Sequence, residues 1–332
     1  RCLTVAGDVK SEDVAGLVDK YFGNIPRGPE VVDQKIERNV LDSTRYISYE
    51  DSKVRTPRLY IAYPTVATMH PDEAALDILV HLIAGDKNSA FYDVLTKSKV
   101  ASSAYGYDYF MELAGNTFFQ IDPMPSRDGS TESLAFIEDK FFEALRVFEE
   151  KGVKEEDINR FKSSTEAYMI KSLASVSGKA SSLASYATFQ GNPNLIGNDI
   201  KRYMDVTVED VMRVYNKYIK DKPAVVLSIY PTGKSELIAA SDNFTPKMPD
   251  PAEADHKEYK GLVYNKAIDD STVINRSVKP AKGANPVVKV PPFWKKDLKN
   301  GVKIIGTQNT EIPLTTVRLS VDCGHHLESV GQ

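Results

Sequence analysis

The chain has 332 residues, 42% of them apolar and 27% charged, with a formal net charge of −4. That length suits about two domains at ~150 residues each, and a chain of this size makes a core without disulfide or metal staples. No lysine or arginine cluster stands free of acids, which argues against a nucleic-acid or anionic-membrane surface.

Residues 2–7 predict a strand. Ser11 then reads as the N-cap of a helix with Val14, Leu17, Val18, Tyr21 and Phe22 on one face, closed by Gly23 at C′ and blocked by Pro26. Arg58–Tyr63 predicts a buried strand closed by Pro64. Pro71, with Asp72 and Glu73 favouring the helix dipole, opens a helix through Ile83. The apolar stretch around it, Ala74–Ala84, is interrupted by Asp77 and His81 and is too short to span a bilayer. A short helix at Ser89–Lys97 follows, and then two strands, Ser102–Phe110 and Asn116–Asp122.

Thr131 is placed as the cap of a long helix to Lys151 ended by Gly152. The next helix runs from Lys154 to Leu173 with Ile158, Phe161 and Tyr168 inward, its acids Glu155, Glu156 and Asp157 filling the first turn. A Ser/Ala-rich helix, Lys179–Phe189, ends at the Gly191-Asn192-Pro193 break. Thr207 to Asp210 resembles a capping box ahead of Val211, Val214, Tyr215 and Tyr218, and Ala224–Tyr230 is a β-branched strand closed by Pro231. Strands joined by short links and helices in runs give an α+β fold, a largely antiparallel sheet with helices packed on one face.

From Ser235 the chain changes character. Seven of the eighteen prolines lie between Pro246 and Pro292, which reads as an extended linker. Asn300-Gly301 then signals a two-residue hairpin between Trp294–Lys299 and Val302–Thr307, both turn positions taking positive φ, with a third strand-like run at Thr315–Val321. An opening without an initiator Met, and a last unit that stops before a covering helix, lead us to expect a segment of a longer protein. Cys2 and Cys323 form no metal or framework pattern.

Several stretches meet one family pattern. Leu3-Thr4-Val5-Ala6-Gly7-Asp8-Val9 and Tyr21-Phe22-Gly23-Asn24-Ile25-Pro26 resemble the end of the first domain of a lobe of a pitrilysin-type (inverzincin) zinc metallopeptidase, related to insulysin and mitochondrial processing peptidase. Ser89-Ala90-Phe91-Tyr92-Asp93-Val94-Leu95, Asp205 to Val211 and Pro231-Thr232-Gly233 resemble the second domain, and residues 297–324 the first hairpin of the next lobe. The resemblance implies four pieces: the βα end of a first domain at 1–30, a complete second domain at 47–235, an interlobe linker at 236–292, and the first hairpin and strand of the next lobe at 293–332. The expected parent is a zinc metalloendopeptidase that hydrolyses peptide bonds with zinc-activated water, acting on peptides or small unfolded proteins alongside its remaining lobes.

The family's zinc chemistry uses an H-x-x-E-H motif, and this sequence has none. His325-His326-Leu327-Glu328-Ser329 begins like it, but Ser329 stands where the second histidine belongs. The family's carbonyl-polarising Arg and Tyr positions carry Thr96 and Ser103, neither able to do that work. The segment itself is therefore expected to hold no zinc and no catalytic residue. It would supply chamber wall, a substrate-binding edge and a hinge. The aromatic run Tyr105, Tyr107, Tyr109 and Phe110 falls where the family sheet lines the chamber, alternate members facing opposite sides and core packing being the simpler role. His70 and His81 read as structural. The alternative to a peptidase parent is a non-catalytic scaffold or substrate-binding paralogue of the same family.

Overall fold

A computed structural model describes residues 2–23, 25, 39–247, 285, 287, 290–310 and 312–321. A five-stranded sheet is built from β1 (Arg45–Asp51), β2 (Arg58–Thr65), β3 (Ala101–Phe110), β4 (Gly115–Pro123) and β5 (Val225–Pro231) in the order β1-β5-β2-β4-β3. All neighbours are antiparallel except β1 and β5, which run parallel with Arg45 opposite Val225. Leu59, Ile61, Tyr63 and Thr65 of β2 and Thr117, Phe119 and Ile121 of β4 point to one face and are buried there. That face carries the helices, so the sheet is covered on one side as a half-buried antiparallel sheet should be.

The helices are α1 (Ser11–Phe22), α2 (Glu73–Ala84), α3 (Leu134–Lys151), α4 (Glu155–Ser172), α5 (Val176–Gln190), α6 (Ile196–Met204) and α7 (Val208–Tyr218). Helix α2 is apolar nearly all round and packs on β3, α3, α4, α6 and α7; a helix of that composition belongs in the interior. Phe91, Phe119 and Phe141 stack tilted or edge-on beside it, with centroids 5.2–5.8 Å apart. Gly106 lets β3 approach α2 closely, since a Cβ there would sit 2.9 Å from the Phe119 ring and 3.0 Å from Val80 Cγ1.

Several local expectations are corrected. Residues 2–6 take no strand assignment, because a strand needs a ladder partner and none is present among the described residues. α1 starts at Ser11, and Lys10 rather than Ser11 occupies the cap. Gly23 closes α1 with φ −58°, so its glycine freedom is not used. Pro64 lies inside β2, opposite Asn116. The short helix at Ser89–Lys97 is a π-helical turn, Tyr92–Thr96. Ser133 caps α3, its Oγ accepting from Phe136 N, in place of Thr131. Tyr168 is 74% exposed, because α4 buries only Ile158, in its first turns. Strand β1 and helix α6 were not anticipated. The hairpin is β6 (Phe293–Asp297) with β7 (Lys303–Thr307), and only Gly301 of its turn has positive φ, so the loop is longer than a two-residue one. Thr315–Val321 forms no strand. Pro26, most of the Pro-rich linker, and Cys323 with His325 to Ser329 lie outside the described residues. Thr207 and Asp210 do make a reciprocal capping box, and Gly152 ends α3 at φ 64°.

The start of α2 is tied to α7 through one buried carboxylate. Asp72 accepts from Arg213 Nη1 (2.6 Å), Lys217 Nζ (2.8 Å) and Tyr218 OH (2.7 Å). Burial alone would raise its pKa, but the hydrogen bonds from Lys217, Tyr218 and Arg213 override that and hold it far below the usual carboxylate range. A depressed folded-state pKa adds stability above the unfolded value of about 4, and the contribution is lost as pH falls below it. Asp72→Asn is therefore expected to cost about 2–3 kcal/mol at pH 7, the low end for a broken buried pair because its partners are half-exposed. Urea titrations at pH 7 and pH 2.5 check this; a gap between variant and wild type that does not shrink at pH 2.5 would refute it.

Candidate functional site

The sheet face away from the helices is aromatic along β3. Tyr105, Tyr107 and Tyr109 project from β3 with 40%, 40% and 56% of their surface exposed, so these three are not core residues. Period-two alternation places them on one side and Phe110 on the other. Tyr105 and Tyr107 stack at 6.1 Å, and Tyr107 stacks on its cross-strand neighbour Phe118 at 5.3 Å. Tyr105 OH donates to Gln120 Oε1 (2.6 Å), and Gln120 Nε2 donates to Asp122 Oδ2 (3.3 Å). Arg58 Nε donates to Asp122 Oδ1 at 2.5 Å and so closes the row. Tyr105 and Tyr107 are thus held in place by their neighbours, while the rings of all three tyrosines remain accessible. β3 is also an edge strand among the described residues, leaving one side of its backbone unpaired in the sheet.

On the helix side, a cleft of about 750 Å³ opens between the start of α2, the β3–β4 turn, α5 and α6. Phe110, Met111, Met69 and Phe189 form apolar walls, and Glu73, Tyr186, Asp199, Arg202 and Tyr203 line it with polar groups. Arg202 from α6 organises them. It donates to Glu73 Oε2 (2.9 Å), Asp199 Oδ1 (2.6 Å) and the His70 carbonyl (3.3 Å). Burial pulls its pKa down, but Asp199 and Glu73 more than offset that and raise it. Tyr186 OH donates to the second Asp199 oxygen (2.6 Å), and burial followed by that carboxylate raises the phenol's pKa. Met69 holds φ 61°, uncommon for a non-glycine residue, with its N–H donating to Glu73 Oε2 at 2.5 Å.

The remaining candidates are scattered. Phe110 packs partly against the core at the cleft mouth. Thr96 ends the π-helical turn, and Ser103 lies opposite Asp122 on β3. His70 Nδ1 accepts from Asp72 N (3.0 Å), and His81 packs on Phe161 at 4.9 Å; burial lowers the pKa of both. Among the described residues no three His, Cys, Asp or Glu side chains are arranged to hold a metal ion. These residues do not fit a zinc centre. No helix of the described residues is long and apolar enough to cross a membrane. Sequence reading missed Arg202, Asp199 and Glu73 as a set, because positions 73 and 202 meet only in the fold.

These features define a class: an α+β domain with helices on one sheet face and an accessible aromatic surface on the other. Residues 2–165 match the family model described as "Peptidase M16 inactive domain". It is 24% identical over 237 residues to a zinc protease, PqqE, of Helicobacter pylori, covering 68% of this chain and 50% of that protein. In fold it is similar to the crystal structure of a protease from Helicobacter pylori (TM-score 0.59, 22% identity, 68% of this chain and 54% of that one). A peptidase M16 inactive domain from Pseudomonas fluorescens is also similar (TM-score 0.54, 16% identity, 68% and 52%). The chain spans about half the length of these relatives.

Removing the cation from the Glu73–Arg202–Asp199 triad leaves two carboxylates facing each other with little solvent. Arg202→Met is expected to cost about 3 kcal/mol, and Arg202→Lys less, since an ammonium keeps the charge while losing the fork. Equal urea midpoints for the Arg202→Met variant and wild type would count against the triad's role.

Proposed function

We propose that the chain is the middle segment of a two-lobe, zinc-dependent endopeptidase. Residues 1–30 end a first domain, 47–235 form the second domain of that lobe, 236–292 link the lobes, and 293–332 begin the next lobe. The parent hydrolyses peptide bonds in extended peptides or small unfolded proteins, using zinc and a zinc-activated water held elsewhere in its chain. This segment contributes the wall of the substrate chamber, an edge for the bound peptide and the hinge. It performs no hydrolysis itself.

The observation that carries the reading is the combination of the accessible Tyr105, Tyr107 and Tyr109 with a β3 edge left unpaired in the sheet among the described residues. An extended peptide added to that edge finds backbone donors and acceptors in register. The tyrosines offer rigid, amphipathic contact area beside it at low entropic cost. The match of residues 2–165 to the peptidase M16 inactive-domain model and the relative named as a zinc protease support the chemistry assigned to the parent.

The test is binding of a fluorescently labelled, unstructured peptide to the 332-residue chain. Replacing Tyr105, Tyr107 and Tyr109 together by Ser is expected to weaken binding at least about tenfold, since buried aromatic anchors dominate interface energy. It should alter thermal stability little, because the rings are exposed. Zinc analysis and a peptidase assay on the same sample should show neither stoichiometric metal nor cleavage. Unchanged peptide affinity in the triple variant would remove the substrate-wall reading. If the tyrosines bind peptide while the parent upstream of Arg1 carries no H-x-x-E-H motif, the non-catalytic substrate-binding paralogue is correct.

A further inference from the structure

Two half-buried carboxyl groups lie beside the cleft, and the substrate-wall reading makes no use of them. Asp77 projects from α2 and Asp108 from β3, elements that pack directly on each other. Tyr203 OH of α6 donates to Asp77 Oδ2, and Thr117 Oγ1 of β4 donates to Asp108 Oδ1. The other oxygen of Asp108 is buried and has no hydrogen-bond partner among the described residues, and neither has the buried Thr65 Oγ1. The charged groups facing the two aspartates are Glu73 on α2, and Asp199 and Arg202 on α6. Arg202 is already committed to Glu73 and Asp199, so that trio presents a net negative charge.

We infer that Asp77 and Asp108, on packed elements and with one Asp108 oxygen shut from solvent, form an acid pair that retains a proton at neutral pH, and that loss of this proton loosens α2 and α6 at the cleft. A buried carboxylate with one hydroxyl donor and no paired cation is costly, and two in one low-dielectric region oppose each other's ionisation. The charge leaves when a proton binds. Burial pushes the Asp77 carboxyl up to about 6 against the opposing Tyr203 hydrogen bond, with Glu73 adding to the rise. Burial and the Asp77 charge push Asp108 well above its ordinary value. A metal is the other way to neutralise such a pair, and no three-ligand arrangement is available among the described residues. Tyr203 links the acid pair to the cleft, because it binds Asp77 and lines the cleft with Arg202.

The sign follows from linkage. The folded state binds more protons than the unfolded chain between pH ~4 and the raised values, so stability falls as pH rises through that window. Thermal melts from pH 4.5 to pH 8 on wild type, D108N and D77N test this. Both variants keep an acceptor for the neighbouring hydroxyl and remove a titrating group. D108N is expected to melt at about the wild-type temperature at pH 4.5 and at least about 3 °C higher at pH 8. D77N should flatten the same slope. Infrared spectra of wild type at pH 7 should contain a protonated-carboxyl carbonyl band that is absent from D108N. Parallel melting curves for all three proteins would overturn the inference. If neither variant folds, the wild-type spectrum decides: without that band at neutral pH the pair is ionised and the inference fails.

Discussion

Helix α2 carries Ala74, Ala75, Leu76, Ile78, Leu79, Val80, Ile83 and Ala84 into the interior, leaving it almost no side for water. Such a helix is stable only if other elements surround it, and here β3, α3, α4, α6 and α7 do so. Its acidic residues then become the problem, since buried carboxylates must be paired. Each is met by a different partner. Asp72 takes Arg213, Lys217 and Tyr218 from α7, Glu73 takes Arg202 from α6, and Asp77 takes Tyr203 from α6. The acids therefore fix where α6 and α7 dock, while the apolar residues supply the driving force. Glu73 in the first turn also complements the helix dipole.

The same arrangement separates two kinds of surface. On the helix side, Glu73, Asp199, Tyr186 and Arg202 are taken up by one another, and Arg202 directs its donors to Glu73, Asp199 and the His70 carbonyl. On the open side, the Arg58–Asp122–Gln120–Tyr105 row is also linked, but its tyrosine rings keep their faces accessible. The aromatic row lies beside a strand edge left unpaired in the sheet among the described residues. The fold shared with the peptidase M16 inactive domain of Pseudomonas fluorescens thus presents an accessible aromatic surface on the side away from its helices.

Much of the helical layer was legible because its signals are local. Thr207 with Asp210, and Gly152 after Lys151, act within one turn and need no tertiary help. Tyr168 misled because a helical stripe predicts a face and not how far along the helix a partner extends. Helix α6 was hidden by the Gly191-Asn192-Pro193 break and by Gly197 and Asn198, poor helix formers. Its burial of Tyr203 and Asp199 comes from packing. For the tyrosines, alternation was readable but the identity of the wet face was not: an aromatic residue every second position suits a core strand and an accessible strand equally well. The Arg202 triad joins positions far apart in sequence, and nothing local marks it.

Strand β1 gave no local signal for a related reason, and its position has a consequence for synthesis. β1 and β2 are joined by a short turn, yet they are not neighbours, since β5 lies between them. As the chain emerges from the ribosome, β1 and β2 are free to pair as a simple hairpin long before β5 exists. Native assembly requires β5 to take the place between them, pairing parallel with one and antiparallel with the other. Long-range parallel pairing is slow, and an unfilled strand edge invites self-association meanwhile. The sheet is therefore completed by the last of its five strands to be made, and in a nascent chain that stops short of Val225 nothing yet joins β1 to β2 in the native order.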